Sequence, residues 1–236
     1  MHALDFRVMS SMAVLIDYPT PDLPAQARAL SDYLQSNSKI WQDLLEGFAL
    51  HVSLTPFTQV EETYTQAFDM NPSCTLEIGW HLFGETYKRG SFLANMRASL
   101  RANNVEEGTS LPDYLPNLLR LLPKLDPKDA RGLVSDCILP SLAKIRSKLD
   151  HSPGLANRTG SEGNGPEGAR ATDGPSQNAT PYDLLLESLD LMLQELAPLP
   201  AVSEHHACEC GGGHHHADGH THSHAHVNGT EVNHAG

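Results

Sequence analysis

Residues 61–90 read EETYTQAFDMNPSCTLEIGWHLFGETYKRG, and the spacing within them decides the fold. Val60, Tyr64, Ala67 and Phe68 recur at helical intervals on one face. Thr55 is placed to cap that helix, with Pro56 at its first position, where a missing N–H costs nothing. Asn71 before Pro72 ends it, because a residue preceding proline avoids the helical region. Leu76, Trp80, Phe83 and Tyr87 then step by four, three and four and predict a second helix, with Glu77, His81, Gly84 and Lys88 on an adjacent stripe. Phe92, Met96 and Leu100 are expected to prolong it past Gly90. Rings at this spacing commonly fill a helical core. The acids among them instead suggest a surface built to hold something.

The same periodicity extends outward in both directions. Leu4, Val8, Met12, Leu15 and Ile16 mark a first helix that stops before Pro19. Leu23, Ala27, Leu30 and Leu34 mark a second, and Ile40, Leu44, Leu45 and Phe48 a third. Tyr114, Leu118, Leu121 and Leu122 form another, and Asp126-Pro127 opens a run through Val134, Ile138, Leu142 and Ile145. Pro140 falls inside that run and predicts a kink there. No Asn-Gly or Asp-Gly hairpin separates alternating apolar runs in this part of the chain. The expectation is an all-α protein, with a single helical bundle domain over residues 1–150.

Composition divides the rest. Residues 151–180 hold eighteen Gly, Pro, Ser, Asn or Thr and cannot bury enough apolar surface to offset their ordering entropy, so they read as a flexible linker. Thr180, Pro181 and Asp183 then supply a cap, a first-turn proline and an acid at the third helical position. Leu185, Leu189, Met192, Leu193 and Leu196 make the following helix, residues 181–198, strongly amphipathic. An isolated helix of that length is marginal in water, so its apolar face is expected to pack back onto the bundle. Docking in a partner's groove until displaced is the alternative. Residues 199–236 read as a disordered tail rich in histidine and cysteine.

That tail suggests a chemistry of its own. His205, His206, Cys208, Cys210, His214, His215, His216, His220, His222, His224 and His226 are imidazole and thiolate ligands of the kind that nickel and zinc select. Their spacings are irregular, and Cys208-x-Cys210 completes no closed four-ligand pattern, so a binder of variable stoichiometry is expected. Charge is partitioned in the same way. Residues 1–170 hold twenty acids and sixteen bases, whereas beyond Arg170 there are nine acids and no base. An acidic chain is not drawn to phosphate backbones, which argues against nucleic acid and for a basic peptide as partner.

Two strings in the bundle resemble a known family. The first is Glu62-x-Tyr64-x-x-x-Phe68-Asp69, then Leu76, His81-Leu82-Phe83-Gly84 and Arg89-Gly90; the second is Leu111-Pro112-Asp113-Tyr114-Leu115-Pro116. In this order and separation they look like the nitrate reductase molybdenum cofactor assembly chaperones, helical proteins that mature redox enzymes. The resemblance covers roughly residues 5–150 and stops short of the tail. Trp80 stands where a tyrosine is more usual, and Glu85-Thr86-Tyr87-Lys88 replaces a more typical Asp-x-Arg-x. The resemblance implies a chaperone that binds the N-terminal segment of an apo molybdoenzyme catalytic subunit and keeps it open for insertion of the molybdenum cofactor. The chaperone itself would hold no permanent cofactor. On these motif positions Tyr64, Phe68 and Trp80 are the expected aromatic anchors, and Asp69, Glu77 and Glu85 the expected partners of client arginines. His81 lies in the same face, and Arg89 is expected to brace it from within.

No enzyme signature competes with this reading. Gly-x-Ser-x-Gly, a phosphate-cradling loop ending in Gly-Lys-Ser/Thr and His-Glu-x-x-His are all missing from the chain. His81 with Glu77 and Glu85 offers a base with orienting acids only by helical spacing, and a lone helical histidine is usually structural. No apolar run approaches eighteen residues, so no membrane insertion is expected. Cys74 and Cys137 read as reduced core thiols, and the chain as cytoplasmic. A metal-trafficking or storage protein acting through its His-rich tail is the rival reading.

Overall fold

A computed structural model describes residues 5–149 and 180–198. Residues 151–179 of the stretch read as a linker, 151–180, and the eleven expected metal ligands from His205 to His226 lie outside the described residues. Ten α-helices and three short helical turns make up the described part, without a strand. The helices are α1 (Val8–Ile16), α2 (Leu23–Leu34), α3 (Lys39–Leu54), α4 (Phe57–Tyr64), α5 (Ile78–Phe83), α6 (Tyr87–Ala102), α7 (Leu115–Leu121), α8 (Pro127–Leu133), α9 (Leu139–Leu149) and α10 (Pro181–Leu196). The all-α bundle is as the periodicity predicts. None of these helices is long and apolar enough to cross a membrane.

One core runs through the bundle. α1 buries Met9, Met12, Ala13, Leu15 and Ile16 and packs on α2 and α7. α2 packs along α3, whose Trp41, Leu45, Phe48, Ala49 and Val52 point inward. α10 lies against α3 and α9, burying Tyr182, Leu185, Leu186, Leu189, Met192 and Leu193. Its apolar face thus finds its partner in the bundle, as an amphipathic helix that short requires. The Asp183 carboxylate accepts from the Thr180 amide, which secures the first turn.

Several local expectations meet their chemistry. The Asp126 carboxylate accepts from the Lys128 amide at 2.9 Å and caps α8. Between α8 and α9 a π-helical turn at Val134–Ile138 absorbs the irregularity that Pro140 imposes just downstream. Thr55 behaves otherwise. Its hydroxyl donates to the His51 carbonyl at 2.8 Å and so closes α3, while Pro56 takes the capping position of α4.

The larger correction concerns the continuous helix expected through Leu76, Trp80, Phe83 and Tyr87. Leu76 and Glu77 are extended instead. The Leu76 carbonyl accepts from the Leu115 amide at 2.8 Å, and the Ile78 amide donates to the Asp113 carbonyl at 3.0 Å, giving an isolated antiparallel bridge between Glu77 and Tyr114. α5 begins only after this bridge and ends at Gly84, whose φ of 58° lies in the left-handed region. α6 starts afresh at Tyr87, which is 90% exposed and so leaves the apolar stripe. Periodicity could not foresee either break, since one rests on a distant segment and the other on a single glycine. Cys74 is a buried free thiol, and Cys137 is fully buried in the core.

Candidate functional site

Where the first motif string meets the second, a cleft of about 170 Å³ opens between Tyr64, Phe68, Asp69, Thr75, Leu76, Glu77 and Tyr114. Local backbone chemistry shapes it. α4 passes into a π-helical turn at Thr65–Asp69, with the Met70 amide bonded to the Thr65 carbonyl at 2.8 Å. That turn sends Phe68 into the core and leaves Asp69 exposed on the rim. Across the opening, the bridge of Glu77 with Tyr114 sets the opposite wall.

The floor is a chain of hydroxyls. Tyr64 and Tyr114 share a hydrogen bond of 2.8 Å, and the Tyr114 hydroxyl donates to Asp17 Oδ1 at 3.1 Å. Asp17 is held in turn by Arg120 at 2.5 Å, so α1, α4 and α7 are tied beneath the cleft. Burial pushes both phenols well above their ordinary range, and the nearby Asp17 and Asp69 charges add to this. The two phenols therefore stay neutral at any physiological pH.

The rim is acidic. Among the described residues neither Asp69 nor Glu77 has an ion pair. An unneutralised carboxylate on each wall, over neutral hydroxyls, suits a cationic group better than an anion.

Tyr64 and Phe68, the expected anchors, are only 2% and 3% exposed. They join Tyr18, Phe48 and Tyr182 in edge-to-face and tilted contacts at centroid separations of 5.1–5.7 Å. In this conformation their rings hold the core together and offer a partner almost no surface. The motif positions that named them as anchors also fall at the helical spacing of core rings.

The remaining expected site residues lie on the far side of α5. Trp80 is half-buried, with the Arg89 guanidinium 5.4 Å from its ring centroid. Arg89 Nε lies 3.9 Å from Oδ2 of the fully buried Asp113. The Gly79 amide donates to the same Asp113 oxygen at 3.0 Å, and a Cβ on Gly79 would come within 2.7 Å of it. Burial outweighs these partners and raises the Asp113 carboxyl to about 6. His81 is bonded through Nε2 to the Thr75 carbonyl at 2.7 Å, which makes that nitrogen the donor. Burial lowers its pKa, and its charged neighbours are Lys144 and Arg89 rather than the acids its spacing had suggested. Glu85 is exposed in the turn after Gly84 and does not line the cleft.

The structure thus gathers Tyr64, Phe68, Asp69 and Glu77 at one opening and sets Trp80, His81, Glu85 and Arg89 apart from it. Tyr114 and Asp17 are essential to the floor and were not among the expected site residues. Tyr114 was signalled by the Leu111–Pro116 string; for Asp17 the sequence carries no signal. No group of three or more His, Cys, Asp or Glu is placed to hold a metal among the described residues. No protein-family model matches the chain, and no curated protein does.

Proposed function

We propose that this chain is a cytoplasmic assembly chaperone for a molybdoenzyme catalytic subunit, of which a nitrate reductase chain is the leading candidate. It would hold the immature subunit by its N-terminal segment and keep it competent for insertion of the molybdenum cofactor. The observation that carries the reading is the pair of acids, Asp69 and Glu77, that line one cleft with Tyr64 and Tyr114 and have no ion pair among the described residues. A guanidinium from a basic peptide fits such a mouth through charge-assisted hydrogen bonds and planar contact with a ring. The two strings that carry the family resemblance are also the two segments that pair at the Glu77–Tyr114 bridge. The work is binding: a chaperone that prefers a loading-competent conformer of its client shifts that conformer's population without breaking a bond.

The charge reversal Asp69→Lys with Glu77→Lys tests the site. Calorimetry with an arginine-containing client peptide should show affinity weaker by roughly tenfold or more, with helicity by circular dichroism unchanged. Unchanged affinity removes both acids from the site. A pull-down from native cytosol with a chain lacking residues 201–236 tests the client. It should recover an immature molybdoenzyme subunit, enriched when cofactor synthesis is blocked.

The concentration of ten histidines between His205 and His234 supports a second reading, nickel or zinc trafficking with the bundle as docking module. The same truncation separates the two. A chaperone still matures its client without the tail, whereas a metal carrier loses its phenotype.

A further inference from the structure

α10 closes the bundle with side chains that do not all suit a closed place. The Tyr182 ring sits against Phe48, Tyr64 and Phe68 at centroid separations of 5.7, 5.6 and 5.2 Å. Its hydroxyl, buried among them, has no hydrogen-bond partner among the described residues, and neither has the hydroxyl of the fully buried Ser188. Both groups give up water on docking and gain no bond in exchange. Phenylalanine and alanine would fill these places without that cost.

The helix is also weak on its own. Pro181–Leu196 carries Asp183, Glu187, Asp190 and Glu195 and no base. Asp183 and Glu187 stand four residues apart, Glu187 and Asp190 three, and like charges at these spacings repel. Glu195 lies in the last turn, at the negative end of the helix dipole. Docking relieves part of this strain at one point on α9, where Arg146 pairs with Asp190 and lies 3.9 Å from Glu187. That clamp is partly exposed and so open to screening by salt.

We propose that α10 is a displaceable internal ligand of the bundle. It undocks as a unit from α3 and α9, and the vacated groove, floored by Phe48, Tyr64 and Phe68 and edged by Arg146, takes an amphipathic helix of a partner. The matching helix carries α10's own features: an aromatic residue, large aliphatics on the same face, and an acid about two turns beyond the aromatic. Tyr64 and Phe68 belong to both cleft and groove, so undocking also bares the two rings that the sequence marks as anchors. The inference does not depend on which client the chain serves.

Hydrogen exchange on the full chain is the test. Amides of α10 should exchange roughly tenfold or more faster than those of α3 and α9, the helices it covers. Arg146→Gln, which removes the clamp and leaves the core untouched, should widen that gap. A fluorescein-labelled peptide of residues 180–198 should bind the Tyr182→Ala chain roughly tenfold or more tighter than the wild type, because the groove stands vacant more often. Exchange of α10 at the rate of α3 and α9, unmoved by Arg146→Gln, overturns the proposal, and so does equal peptide binding by the two chains. Should Tyr182→Ala fail to fold, the exchange measurement decides alone. No client enters either arm, so failure here leaves the client reading untouched.

Discussion

Asp113 shows how one residue can be structural, costly and titratable together. It is fully buried, and its carboxylate receives the Gly79 amide, with an Arg89 nitrogen 3.9 Å away and Oδ1 unpartnered among the described residues. Burial therefore wins, and the folded-state pKa rises from 3.8 to about 6. The folded chain then binds more protons than the unfolded chain between these values, so this group's contribution to stability is complete below about pH 4 and lost as pH rises to about 6. The shift corresponds to an effect on the order of 3 kcal/mol. Urea denaturation across that window should show wild-type stability falling relative to Asp113→Asn, in which the increment is absent. Parallel curves would show that Asp113 is ionised throughout.

Two glycines separate the elements of the site for different reasons. A Cβ on Gly79 would meet Asp113 Oδ2 at 2.7 Å and Phe92 Cδ1 at 2.9 Å, so the start of α5 tolerates no side chain there. Gly84 has open space around it, and its constraint is the backbone, with φ 58° and ψ −141°. Gly84→Ala should cost about 1–3 kcal/mol by urea denaturation, all of it conformational strain. Gly79→Ala should cost a similar amount through crowding. Replacement of Phe92 by a smaller residue should recover part of the Gly79→Ala loss and none of the Gly84→Ala loss, a distinction readable as coupling in a double-mutant cycle.

At the scale of the molecule, the aromatic cluster joins helices far apart in the chain. Phe48 of α3, Tyr64 of α4, Phe68 of the following turn and Tyr182 of α10 meet around one point. Phe48→Ala should therefore destabilise the fold by about 3–5 kcal/mol, the range for emptying an aromatic site in a packed core. Circular dichroism during thermal unfolding should show the midpoint falling accordingly. A loss below about 1 kcal/mol would mean that the cluster collapses around the gap and is less rigid than its geometry implies.

Much of this protein is legible in its sequence because helices announce themselves locally. A 3.6-residue apolar period identifies α1, α2, α3, α7 and α9, and Asp126-Pro127 and Thr180-Pro181-x-Asp183 mark where α8 and α10 begin. Those signals lie within a few residues of the bonds they describe. The site is different, because its geometry depends on contacts across the chain. Leu76 and Glu77 give up helical structure where Leu76 and Ile78 bond to Leu115 and Asp113, and Asp17 joins the cleft floor through Tyr114 and Arg120. Spacing ranks Tyr64, Phe68, Glu77 and Glu85 as equals, since it records which face a residue shares and not what covers that face. Packing decides the rest: it buries the rings under α10, leaves Asp69 and Glu77 on a rim, and turns Glu85 away with the break at Gly84.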